Sequence, residues 1–160
     1  METVTRNSSN GGGGGAARRP APMWALALLV GVGGCVGTLV RALLEAAFGA
    51  DHGHFPVMTL TINLVGSVVL GLLLEGLART GEDVGPRKAV RLGVGTGVIG
   101  GFTTYSTFAV ETDRLLGGGS PVIGLVYALV SVAAGLLCAA AGILVARKAF
   151  RARPMDEEGR

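Results

Sequence analysis

The sequence predicts an all-α integral membrane protein with four transmembrane helices, the third of them broken near its middle. Three observations lead there. Apolar residues make up 49% of the 160-residue chain and charged residues only 16%, giving a mean hydropathy of +0.55. Glycine occurs 28 times, which suits close helix packing in lipid. The apolar residues also gather into four stretches, each long enough to cross a bilayer, where a span needs about 20 such residues.

Residues 1–22 come before the first stretch. The run "SSNGGGGGAARRPAP" within them cannot bury a core and reads as a disordered basic tail. It is not a good signal peptide, because the apolar run behind it is too long and lacks a clean cleavage pattern. Residues 23–146 form the membrane domain, with spans at about 23–48, 56–77, 89–116 and 121–145. The third is overlong. As one helix, residues 89–116 would extend roughly 42 Å, against a hydrocarbon core of about 30 Å. A break or re-entrant dip at Gly100-Gly101 would absorb the excess. Short links make neighbouring spans antiparallel. Residues 147–160 form a charged tail.

Charge is distributed by side. All but two of the 14 basic residues lie in the N-terminal tail (Arg6, Arg18, Arg19), the link after the second span (Arg79, Arg87, Lys88, Arg91) or the C-terminal tail (Arg147, Lys148, Arg151, Arg153, Arg160). Arg41 lies within the first span, and only Arg114 falls on the opposite side. The positive-inside rule places both termini in the cytoplasm of a multi-pass plasma-membrane protein. The two cysteines, Cys35 and Cys138, sit in apolar runs as small hydrophobes, and His52 and His54 belong to a polar link. No Cys/His metal spacing, paired buried acids or Ser/His/Asp set is present, so an enzyme has little support.

The polar residues inside the spans carry the functional argument. Arg41 reads either as a snorkelling side chain or as a cation in an anion-attracting vestibule. Gly33 and Gly37, four apart, form a small-residue helix contact. Thr59, Asn63 and Ser67 recur every four residues and share one helix face. An amide facing lipid is costly, so Asn63 serves as interhelical glue or lines a pathway. Gly93, Gly97 and Gly101 permit a second close approach. Gly100-Gly101 followed by Thr103-Thr104 is a poor helix former, and unwinding there would free carbonyls for a cation, a threonine hydroxyl or a water. Tyr105 and Phe108 share a face, with Ser106 and Thr107 between them and Glu111 one turn on. Aromatic ring edges are electropositive and can hold a small anion, although packing alone also explains the pair. Tyr127 and Ser131 share a small, hydroxyl-bearing face with Gly124 and Gly135.

Three segments, "GGCVGTLVR" (33–41), "TINLVGS" (61–67) and "GGFTTYSTF" (100–108), resemble those of the Fluc (CrcB) fluoride channels, in the same order and four-span layout. The resemblance covers about Trp24 to Val145. It implies an antiparallel dimer with two pores, through which fluoride leaves the cytoplasm passively, lowering fluoride toxicity. It further implies that Asn63 hydrogen-bonds fluoride and that Tyr105 and Phe108 stand at the aromatic box. Ser106 and Thr107 would lie beside that box, and Tyr127 and Ser131 would continue a polar track. Arg41 would sit at a vestibule and Glu111 near a pore mouth. Gly100 and Thr103 would offer backbone carbonyls to a structural sodium ion (Na+) at the dimer centre. Tyr105 stands where phenylalanine is usual, and Ala42 follows Arg41 where an aromatic residue is common.

The one-sided charge is unlike the near balance expected of a chain that inserts both ways. It favours a fixed orientation and a related second subunit of opposite bias, with a dual-topology homodimer as the alternative. A four-span exporter of other ions or drugs needs a titratable carboxylate deep in a span. Glu45 and Glu75 lie at span ends and Glu111 late in the third. A non-transporting membrane assembly protein would use Asn63 and the broken span only as glue.

Overall fold

The computed structural model describes residues 21–49 and 55–150. Most of both tails and the His52/His54 link lie outside the described residues. Every regular element among the described residues is helical: α1 (Met23–Phe48), α2 (Val57–Thr80), α3 (Gly85–Val90), a π-helical segment (Arg91–Ile99), α4 (Gly100–Phe102), α5 (Tyr105–Gly117) and α6 (Pro121–Ala149). Helices α1, α2 and α6, of 26, 24 and 29 residues, are long and apolar enough to cross a membrane. At ~1.5 Å per residue they extend roughly 36–44 Å. The third apolar stretch runs through α3, the π segment and α4, stops, and resumes as α5. Four helical passages result, one of them interrupted.

The break does not fall at Gly100-Gly101, as helix propensity predicts. Both glycines are helical, and the extended residues are Thr103 (φ −77°, ψ 157°) and Thr104 (φ −141°, ψ 122°). Tertiary packing overrides propensity here. A Cβ on Gly101 would overlap the carbonyl oxygen of Gly34 on α1, so the missing side chain is used for contact rather than for unwinding. The helix ends two residues later. The N–H and hydroxyl of Thr103 both donate to the Ile99 carbonyl, at 2.9 and 3.0 Å. Thr104 then caps α5, its hydroxyl accepting from the Thr107 N–H at 3.1 Å.

Glycine sets the packing on both sides of the molecule. α1 lies along the π segment and α4, while α2 lies along α6 and α5 packs on α6. A Cβ on Gly33 would overlap the Gly93 carbonyl, and one on Gly37 the Val98 carbonyl. Across the other pair, a Cβ on Gly71 would overlap the Ala139 carbonyl and one on Gly142 the Val68 carbonyl. Backbones thus touch directly, the contact that drives helix association where lipid removes the hydrophobic incentive. The π segment was not predicted. At its end the Gly100 N–H reaches the carbonyl of Gly95, five residues back.

Few side chains are fully enclosed. Ile62, Ile99, Tyr127 and Ala146 form the apolar core, with Thr59 and Thr104 as buried polar residues. Leu28, Leu43, Leu129 and Leu137 are among many exposed large apolar side chains on α1 and α6, as expected of helices immersed in lipid. At one end Glu75 joins α2 to α6, accepting from Arg79 at 2.7 Å and Arg147 at 3.0 Å. In the neighbouring link, the hydrogen bond from Arg91 holds the Asp83 carboxyl below the usual carboxylate range.

Gly37→Ala is expected to lower the thermal stability of the detergent-solubilised protein by about 1–3 kcal/mol, the cost of overpacking. Gly31→Ala, whose Cβ would meet nothing within 4 Å, should leave the melting temperature unchanged or raise it. Equal melting of the two variants would contradict the backbone contact between α1 and the third span.

Candidate functional site

The break creates the site. A continuous helix would pair the Thr104 N–H with the Gly100 carbonyl. Instead it donates to Oδ1 of Asn63 at 2.8 Å, while Nδ2 of Asn63 donates to the Thr104 carbonyl at 2.9 Å. One side-chain amide thereby satisfies both backbone groups of Thr104, much as a neighbouring strand would. Ser67, one turn along α2, donates to the Asn63 carbonyl at 2.8 Å.

The four carbonyls from Gly100 to Thr103 lose their helical donors at the break. The donor that Gly100 would have used, Thr104 N–H, is held by Asn63. The donor that Thr103 would have used, Thr107 N–H, is held by the Thr104 hydroxyl. The intervening Gly101 carbonyl accepts from Thr38 on α1 at 3.3 Å. Gly100 is exposed and Thr103 half-buried, and carbonyl oxygens are ligands of the kind hard cations take. No group of three or more His, Cys, Asp or Glu capable of holding a metal occurs among the described residues.

Beside the break lies an open-sided cavity of about 320 Å³. Asn63, Thr104, Tyr105, Phe108 and Ser131 line it, together with Ser67 and apolar neighbours. Oγ of Ser131 is buried and has no hydrogen-bond partner. Nδ2 of Asn63 carries two hydrogens, and its only bond among the described residues is to Thr104. Tyr105, 81% exposed, has its ring centroid 6.0 Å from that of Phe108 at an interplanar angle of 45°. Ser106 and Thr107 do not line the cavity. Their hydroxyls lie 3.2 and 3.0 Å from the Thr104 hydroxyl and complete the cap of α5.

Tyr127 is fully buried and outside the cavity lining. Its ring lies 5.4 Å from Phe108 and meets Phe55 edge-on, also at 5.4 Å. Its hydroxyl donates to Oε2 of Glu111 at 2.7 Å, and Thr59 donates to Oε1 at the same distance. This three-helix cluster of Thr59, Glu111 and Tyr127 was missed as a unit by sequence reasoning. Its three members each stand out in the sequence, Thr59 through the Thr59–Asn63–Ser67 stripe, but nothing there joins them. Arg41, on α1, pairs with Glu45 at 3.1 Å while its buried Nε has no partner.

A family model described as "CrcB-like protein, Camphor Resistance (CrcB)" matches residues 28–143. The fluoride-specific ion channel FluC 1 of Cutibacterium acnes is 48% identical over 122 residues, 76% of this chain and 82% of that protein. FluC 2 of Leifsonia xyli is 51% identical over 116 residues, 72% of this chain and 79% of its own length. FluC of Deinococcus radiodurans is 47% identical over 124 residues, covering 76% and 92%.

Asn63→Leu leaves both backbone groups of Thr104 unpaired, at about 1–3 kcal/mol for each. The variant should show markedly faster amide exchange at Thr104 and a lower melting temperature, whereas Asn63→Asp keeps the acceptor and should lie between. Unchanged exchange at Thr104 in Asn63→Leu would rule out the clamp. Motifs, broken third passage and matched residues lead to one conclusion: the chain belongs to the CrcB family.

Proposed function

We propose that this protein is a fluoride-specific ion channel that lets fluoride leave the cytoplasm passively and so lowers its toxicity. The observation that carries this is the cavity at the break, where uncharged donors and aromatic edges meet without a fixed cation. Fluoride is small and strongly hydrated, and entry requires donors that replace its water. The second Nδ2 hydrogen of Asn63 and the unpartnered Ser131 hydroxyl are such donors. The ring edges of Tyr105 and Phe108 add weaker, electropositive contacts. Neutral donors can hold the ion without trapping it, which suits conduction. Tyr127 acts one step removed, supporting Phe108 and orienting Glu111 beside the route. Ser106 and Thr107 act through the cap that fixes where α5 begins. Arg41 would attract anions at a vestibule and Glu111 would stand near the pore mouth.

The working unit in this reading is an inverted dimer with two pores. The broad exposed faces of α1 and α6 leave room for a partner. A structural sodium ion at its centre would be held by the Gly100 and Thr103 carbonyls, whose helical donors are engaged elsewhere. When bound, it would supply a fixed positive charge to these carbonyl oxygens. The one-sided distribution of basic residues favours cytoplasmic termini and a related partner chain of opposite bias. The numbered names of two relatives are consistent with paired chains.

Liposomes holding the purified protein should release fluoride rapidly and retain chloride. Asn63→Ala should slow release at least tenfold, and replacing sodium with N-methylglucamine throughout should also suppress it. Well-folded protein that releases no fluoride alone or with a related chain would overturn the channel. Undiminished release without sodium would remove only the sodium site. Orientation has its own test. With Cys35 and Cys138 replaced by alanine, Ser8→Cys should resist an impermeant maleimide in intact cells and label fully after lysis. Half-labelling of intact cells would instead establish a dual-topology homodimer.

A further inference from the structure

Among the described residues, the end of the molecule that carries the C-terminal ends of α2 and α6 and the link through α3 has twice as many cations as carboxylates. Arg79, Arg87, Lys88, Arg91, Arg147 and Lys148 stand there against Glu75, Glu82 and Asp83. The pairing is uneven. Glu75 takes both Arg79 and Arg147, and Asp83 takes Arg91 at 2.7 Å. Arg87, Lys88 and Lys148 form no ion pair among the described residues. The Arg87 guanidinium lies over Gly81, where an added Cβ would come within 2.6 Å of it. It is thus parked against the end of α2 with its donors uncommitted. The Glu75–Arg147 pair and the Phe150 ring, which packs over Gly76, bring Lys148 to the same end.

Exposed apolar side chains flank these cations. Val84, Val90 and Phe150 are 60%, 41% and 49% exposed. Charged heads beside exposed apolar groups, at the ends of helices long enough to span, define the depth of lipid headgroups.

We propose that this end of the protein binds anionic phospholipid, with Arg87 taking the phosphate through its forked donors and Lys88 and Lys148 acting as point charges. The apolar flank lies against the acyl chains of the same lipid. The proposal rests on the membrane reading alone and is independent of which ion the protein conducts.

The test is lipid binding by the full chain in a neutral detergent, followed by native mass spectrometry and thermal unfolding. Phosphatidylglycerol should be retained and should raise the melting temperature, while phosphatidylcholine should do neither. The combined variant Arg87→Gln, Lys88→Gln and Lys148→Gln should bind phosphatidylglycerol roughly tenfold or more weakly, given the attraction of each basic side chain to an anionic surface. Arg114→Gln, at the opposite end, should bind as wild type does. If the combined variant fails to fold, each single substitution should still lower retention in steps. Equal retention by all variants, or equal binding of phosphatidylcholine, would overturn the proposal. So would an equal melting shift from glycerol phosphate in solution, which would identify a free phosphate as the ligand.

Discussion

The reciprocal hydrogen bonds between Asn63 and the Thr104 backbone are the interaction on which the rest of the molecule depends. A helix broken at membrane depth exposes peptide groups to a medium that cannot solvate them. A carboxamide presents an N–H donor and a C=O acceptor side by side without titrating, as a peptide does. Losing both bonds would cost about 2–6 kcal/mol, a large fraction of the roughly 5–15 kcal/mol by which domains are typically stable. Structural demand alone therefore explains an amide at the centre of an apolar helix.

Once Thr104 is fixed, its hydroxyl starts α5, and the direction of that helix sets the packing along the rest of the third passage. Phe108 comes against Tyr127 on α6. Glu111, one turn later, comes within reach of Tyr127 and of Thr59. Thr59 lies one turn from Asn63 on α2, so α2 grips the third passage twice, once at the break and once along α5. The glycine contacts act on the other side of the break. They press α1 onto the π segment and α4 and hold Gly101 helical, leaving the two threonines as the place where the helix gives way.

Sequence reasoning saw the features that are local. Span lengths follow from runs of apolar residues, and the glycine faces follow from spacing. Asn63 stands out because an amide in lipid needs a partner. The identity of that partner was not legible, because backbone groups leave no mark in sequence. The break was misplaced by three residues for a related reason. Propensity scores a glycine pair by its freedom, whereas Gly101 is held by the Gly34 carbonyl it touches. The π segment has no pattern of its own to read. Glu111 and Tyr127 each stand out in the sequence, but their bond joins residues 16 apart across a helix turn-around, and spacing rules reach only along one helix.

Glue and pathway lining, set against each other as roles for Asn63, are compatible in the folded geometry. The clamp uses one amide hydrogen and the carbonyl oxygen, leaving a second hydrogen of fixed direction beside the cavity. A donor already held in place needs little reorganisation when an anion arrives, so it can replace a water at low cost. The same constraint limits how tightly it binds, because a clamped amide cannot turn further donors toward the ion. Glu111 stands outside the cavity lining, its two oxygens accepting from Thr59 and Tyr127. Rapid passage requires binding weak enough to release. In the proposed channel, the clamp that holds the broken helix together also keeps its ion site shallow.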